Sequence, residues 1–176
     1  ALGVERAHLV GNSLGALMAA AFWRRHPGRV RSMVLSDAAT GHGKADPAVR
    51  DRAIRARLDP LEALGPAAMA AERAGLLVAP GTDPAVLAEI RDVMAGIRPG
   101  GYRQATLMLA HADIVDELAG CDSATLVLCG TEDKITPEAS NRRIADSLAN
   151  GRYEPMAGLG HLPYAEAPDR FNDLVG

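Results

Sequence analysis

One stretch narrows the possible folds of this 176-residue chain more than any other: HLVGNSLGALMAA, residues 8–20. His8, Leu9 and Val10 read as a short buried strand. Directly after Ser13 the apolar residues fall at Leu14, Leu17, Met18, Ala21 and Phe22, the i, i+3, i+4, i+7, i+8 spacing of one helix face. Ser13 is therefore expected on a strand-to-helix turn, where Gly11 and Gly15 would let backbone and helix approach without Cβ clashes. A helix N-terminus directs free N–H groups at an oxygen lying over the serine, which matters only where negative charge develops. G-x-S-x-G thus suits a nucleophilic serine whose acyl oxyanion is held by the N–H of Leu14. The residues alone leave a second reading open, in which the glycines serve packing and Ser13 caps the helix.

The rest of the chain reads as an α/β fold. After the serine helix, His26 and Pro27 act as a stop, and VRSMVLSD supplies a second strand near residues 30–36. From Asp37 to about Gly120 the texture changes to Ala, Arg and Leu at helical spacing, interrupted by prolines. Four or five short helices without strands are expected there. ATLVLCG, residues 124–130, reads as a third strand, and Pro137 opens a helix carrying Ile144 and Leu148. A short strand RYEPM follows, then the turn AGLGHLP and a last helix from about Tyr164 to Val175. Strands alternating with helices imply a parallel sheet with helices on both faces, interrupted by an all-helical insert. The division is 1–37 core with the serine turn, 38–120 helical cap, and 121–176 core with an acid and a histidine.

Ligands of open parallel sheets bind beyond the carboxyl ends of the strands. Ser13, Asp133 and His161 all fall at such ends, in that chain order. A serine hydroxyl needs a base within hydrogen-bond reach, which an imidazole supplies, and a buried carboxylate fixes the imidazole tautomer. VGNSLGA, GTEDKITP and GLGHLPYAEAP together resemble the nucleophile, acid and histidine motifs of the α/β-hydrolase fold superfamily. That resemblance covers essentially the whole chain, with the insert matching in placement more than in motif. It implies Ser13 as nucleophile, Asp133 as acid and His161 as base. It also implies that four strands and a Gly-rich loop, source of a second oxyanion N–H, precede the serine strand in relatives, so that this chain is the C-terminal portion of the fold.

Other residues compete for roles. Asp37 ends the second strand, where some members of the superfamily carry their acid, and it is the alternative to Asp133. Glu132 is read as a solvated turn acid. Asn12 is read as a turn residue bonding local backbone, although an Asn at this position occurs in relatives that cleave carbon–carbon bonds. His8 and His26 are strand and helix-end residues, and His42 and His111 lie in the insert. Arg98 and Arg103 are either solvated helix-end residues or binders of a substrate carboxylate. The insert and RPGGYRQATLMLAHADI look most like the 3-oxoadipate enol-lactonase-like group, which implies hydrolysis of a small ester or lactone. A carbon–carbon hydrolase of meta-cleavage type, suggested by Gly-Asn-Ser, and a catalytically idle binding module are the alternatives.

Charge and composition exclude other classes. The formal net charge is −3 and the pI near 6.0, with no Lys/Arg run, so no nucleic-acid partner is expected. No apolar segment has membrane-spanning length, so no membrane partner is expected. Cys121 and Cys129 lack C-x-x-C spacing, so no metal or cofactor is expected, and two thiols without a signal-peptide pattern fit a reducing, cytoplasmic setting. The start without Met suggests a fragment. A serine strand without its usual neighbour would leave an open sheet edge able to self-associate.

Overall fold

A computed structural model describes residues 3–176. Four parallel strands, β1 (Ala7–Asn12), β2 (Val30–Ser36), β3 (Ala124–Gly130) and β4 (Gly151–Met156), lie in the order β1-β2-β3-β4. In register, Val10 stands beside Val34, Val34 beside Leu126, and Val127 beside Tyr153. Because side chains alternate along each strand, Met33, Leu35, Val127 and Tyr153 point to one face while Val34, Leu128 and Met156 point to the other. The first face is covered by α1 (Leu14–Arg25) and α6 (Glu138–Asp146). The second is covered by α8 (Pro168–Val175), whose Phe171 packs on Leu128 and Met156. The expected parallel sheet with helices on both faces is what the chain adopts.

Between β2 and β3 lie α2 (Pro47–Arg73), α3 (Pro84–Ala95), α4 (Pro99–His111) and α5 (Ile114–Glu117). Two of these helices start the same way. Asp46 accepts from the Ala48 N–H and Asp83 from the Ala85 N–H, each followed by proline at the first helical position, where its missing N–H costs nothing. α2 runs through Pro60, where a break is expected, but Gly65 (φ 73°, ψ 171°) leaves the helical conformation and divides it into two helices before Pro66. Ile114 and Leu118, around α5, pack into the core beside α1.

Three further expectations are corrected. β1 is not buried: it lies at the edge of the four-stranded sheet, and Val10 is 53% exposed. The buried side of α1 is Ala16, Leu17, Ala19, Ala20 and Trp23, whereas Met18 and Phe22 are 55% and 42% exposed. Alanines on the inner side allow the helix to lie close to the sheet, with Leu17 and Trp23 as the large side chains packed into the core beside them. The last helical segment is also two pieces, α7 (Pro163–Glu166) and α8, because Pro168 cannot continue the α7 hydrogen-bond ladder. Among the described residues no helix is long and apolar enough to cross a membrane.

Candidate active site

Ser13 follows β1 and precedes the first residue of α1 with φ 52° and ψ −115°, a conformation that costs a non-glycine residue on the order of 1–3 kcal/mol. The turn is held in place from both sides. The Ser13 N–H donates to Ser36 O at 2.9 Å, and the Ser13 carbonyl accepts from Ala39 N–H at 3.2 Å. Gly11 is required by close approach, since a Cβ there would lie 2.3 Å from the Gly15 carbonyl oxygen. Gly15 is not required in this way, because a Cβ built on it meets open space; the close contact is made by its backbone. Ser13 does not cap α1 with its side chain. Among the described residues its hydroxyl has no hydrogen-bond partner. Leu14 opens α1, so by position its N–H lacks an intrahelical acceptor.

Asp133 and His161 meet at the carboxyl ends of β3 and β4. His161 Nδ1 donates to Asp133 Oδ2 at 2.8 Å, and both side chains are buried. A carboxylate acceptor on Nδ1 fixes the tautomer, so that in the neutral imidazole Nε2 is the free acceptor. Asp133 is itself oriented by its own turn: Oδ1 accepts from the N–H groups of Ile135 (2.7 Å) and Thr136 (3.1 Å), and Oδ2 accepts from the Thr136 hydroxyl. Burial alone would raise the Asp133 carboxyl, but its bond to His161, the imidazole charge and the Thr136 and Ile135 donors outweigh it. The group stays below the usual carboxylate range. Glu132, by contrast, is exposed.

Asp37 is the other residue with positive φ (46°) among the described non-glycines. It is fully buried, yet its oxygens are taken by the Gly130 N–H (2.9 Å) and the Ser36 hydroxyl (2.6 Å) rather than by His161. Burial pushes its carboxyl up to about 7, against the lowering effect of those two hydrogen bonds, with the Asp133 charge adding to the rise. Its Oδ1 or Oδ2, an Asp133 oxygen and Cys129 Sγ all lie within 4.8 Å of one another. N–H and O–H donors already occupy both carboxyl groups, and burial pushes the Cys129 thiol far up, so the trio suits two separately hydrogen-bonded carboxyls better than a cation.

Asn12 departs from its expected local role. Its amide donates to the His161 carbonyl at 3.0 Å and to Ser36 O at 3.3 Å, and reaches Asp37 at 3.5 Å. It therefore ties the serine turn to the histidine turn, across 149 residues of sequence. Thr136, which the sequence reading passed over, orients Asp133 and also lies 3.3 Å from His161 Nδ1. An Asp followed three residues later by Thr was the available signal, since such side chains bond backbone and hydroxyl donors locally. The remaining candidates lie elsewhere. His8 bonds Ser32 across the strands at 2.7 Å, His26 ends α1, and His42 and His111 belong to the insert. Arg98 precedes α4, and Arg103 pairs with Glu62 at 3.6 Å on the exposed side of the insert.

A parallel sheet with a strained serine after one strand, and a carboxylate–histidine pair after two others, is the architecture of one large enzyme class. Residues 1–168 match the alpha/beta hydrolase fold family, and the chain belongs to it. It is 35% identical over 189 residues to the 2-hydroxymuconate semialdehyde hydrolase of Pseudomonas sp. (strain CF600), covering 100% of this chain and 62% of that protein. Among solved structures it is similar to a thermophilic esterase from Thermogutta terrifontis (TM-score 0.86, 26% identity, 97% of this chain and 63% of that one). It is also similar to the enol-lactonase from Burkholderia xenovorans LB400 (TM-score 0.84, 28% identity, 99% and 65%). The chain thus spans less than two thirds of the length of these relatives.

Proposed function

We propose that the chain carries the catalytic residues of a serine hydrolase that cleaves a small carboxylic ester or lactone. The observation that carries this reading is the 2.8 Å bond from His161 Nδ1 to buried Asp133, tied through Asn12 to the strained Ser13 turn. His161 Nε2 takes the Ser13 proton as Oγ attacks the carbonyl carbon, and Asp133 stabilises the imidazolium. The Leu14 N–H holds the developing oxyanion. His161 then returns the proton to the leaving oxygen. Water, activated by the same imidazole, cleaves the acyl-enzyme. Residues 38–120 act as the cap over this site, with 1–37 and 121–176 as the core, and neither cofactor nor metal takes part.

Likeness to an esterase and an enol-lactonase supports the ester or lactone assignment. A second reading, a carbon–carbon hydrolase of meta-cleavage type, draws on the 35% identity to a 2-hydroxymuconate semialdehyde hydrolase and on Asn12 before the serine. A panel of aryl esters, lactones and vinylogous diketones, assayed with the intact protein, separates the two. Failure of an active-site phosphonate to label Ser13 would overturn both and leave a binding module. The two free cysteines favour a reducing, cytoplasmic setting. The exposed β1 edge favours self-association of the 176-residue chain, which gel filtration reads directly.

A further inference from the structure

The turn that carries His161 is fastened to the helical insert at several points, and one side chain makes most of the fastenings. Glu166, at the end of α7, uses both carboxyl oxygens. Oε1 accepts from the Gly160 N–H at 2.9 Å, in the histidine turn. Oε2 accepts from the Ala79 N–H at 2.8 Å and lies 2.9 Å from the Thr82 hydroxyl, which shares its one proton with the Ala79 carbonyl at 2.8 Å; both residues are in the loop joining α2 to α3. The His161 N–H itself donates to the Leu77 carbonyl of the same loop at 3.0 Å. Contact there is too close for a side chain at position 160: a Cβ on Gly160 would lie 2.5 Å from Ala79 N. Beside it, Leu162 and Ala165 pack on Ala74, Val78 and Ile90 of the insert.

We propose that Glu166 is a positioning residue that locks the 77–82 loop to the histidine turn, so that the insert sets where the His161 imidazole stands. This rests on reading His161 as the base. The physical basis is the two-sided demand on one carboxyl group. It satisfies one backbone N–H from the histidine turn and two donors from the insert at once, and no neutral side chain of that size offers two acceptor oxygens. Glutamine keeps the volume but turns one oxygen into a donor facing a donor, so one side of the lock opens. A base displaced by about 1 Å loses on the order of 100-fold in rate. The lock thereby makes the position of the insert a condition for the chemistry.

The test compares parent, Glu166→Gln, Glu166→Ala and Thr82→Val in the intact protein, by amide hydrogen exchange and by phenyl acetate hydrolysis. Both Glu166 variants are expected to raise exchange at Ala79, Gly160 and His161 together by about 10-fold or more while the β3 amides stay protected. In the same proteins kcat should fall by about 10- to 100-fold with KM changed less than about threefold. Thr82→Val, which removes one donor only, should give a smaller change in the same direction. Unchanged exchange at either segment in Glu166→Gln overturns the lock. Raised exchange with unchanged kcat, in a parent that hydrolyses the ester, overturns the positioning role. A parent that neither hydrolyses esters nor labels with a phosphonate overturns the serine-hydrolase reading instead, and the exchange data still decide the lock. If β3 protection is lost in both Glu166 variants, Thr82→Val decides by the same two readings.

Discussion

Asp37→Asn tests how the buried acid network responds to pH. The Asp37 carboxyl is fully buried at the end of β2, bonded to Gly130 N–H and to the Ser36 hydroxyl, and burial pushes it up to about 7 from an ordinary 3.8. Between those two values the native chain keeps a proton that the unfolded chain has released. The contribution of this group to stability is therefore complete below about pH 4 and is lost as pH rises through about 7. The gap between 3.8 and about 7, at about 1.4 kcal/mol per pH unit, amounts to on the order of 4 kcal/mol. Asparagine at this position retains an acceptor for the Gly130 N–H and does not titrate. The unfolding free energy of Asp37→Asn relative to the parent should therefore move in favour of the variant by up to roughly 4 kcal/mol between about pH 4 and pH 8.5. Urea unfolding of both proteins at several pH values across that interval measures it. A difference that is flat with pH, or that favours the parent increasingly at alkaline pH, would refute the reasoning.

In the proposed triad, Ser13→Ala should abolish acyl-enzyme formation and Asp133→Asn should lower the acylation rate by about four orders of magnitude without unfolding the protein. Near-full activity in Asp133→Asn, with loss in Asp37→Asn, would move the acid role to Asp37. Gly11→Ala brings a Cβ to within 2.3 Å of the Gly15 carbonyl, a backbone contact that only a shift of β1 against α1 can relieve. A loss of about 1–3 kcal/mol or more in a denaturant melt is expected, and an unchanged melt would show that β1 and α1 are not held in that close approach. Burial pushes both Cys121 and Cys129 thiols upward, with negative Asp37 and Asp133 adding to the effect at Cys129. Neither should react with a thiol reagent at mildly alkaline pH until the chain is denatured, and rapid labelling of native protein would contradict this.

The serine turn was readable from sequence because its determinants are local. A short apolar run, a serine between glycines and an amphipathic continuation occupy 13 residues, and the β–α break they predict is observed at Ser13. Strands β2 and β3 were readable for the same reason, since aliphatic runs bounded by turn residues report on a few neighbours only. What pattern alone misjudged was decided by neighbours distant in sequence. Periodicity placed Met18 and Phe22 on the inner face of α1, but the face packed on the sheet is that of Ala16, Leu17, Ala19, Ala20 and Trp23, and those two stay exposed. Asn12 looked local until the fold brought the His161 carbonyl to it across 149 residues. The choice between Asp37 and Asp133 had the same origin. Both follow strands and both are buried, so residue type and placement alone do not rank them, and the preference for Asp133 comes from the motif resemblance. Only the tertiary arrangement directs His161 Nδ1 to Asp133 while Gly130 and Ser36 take up Asp37, because hydrogen-bond partners are assigned by distances of about 3 Å that sequence separation does not encode.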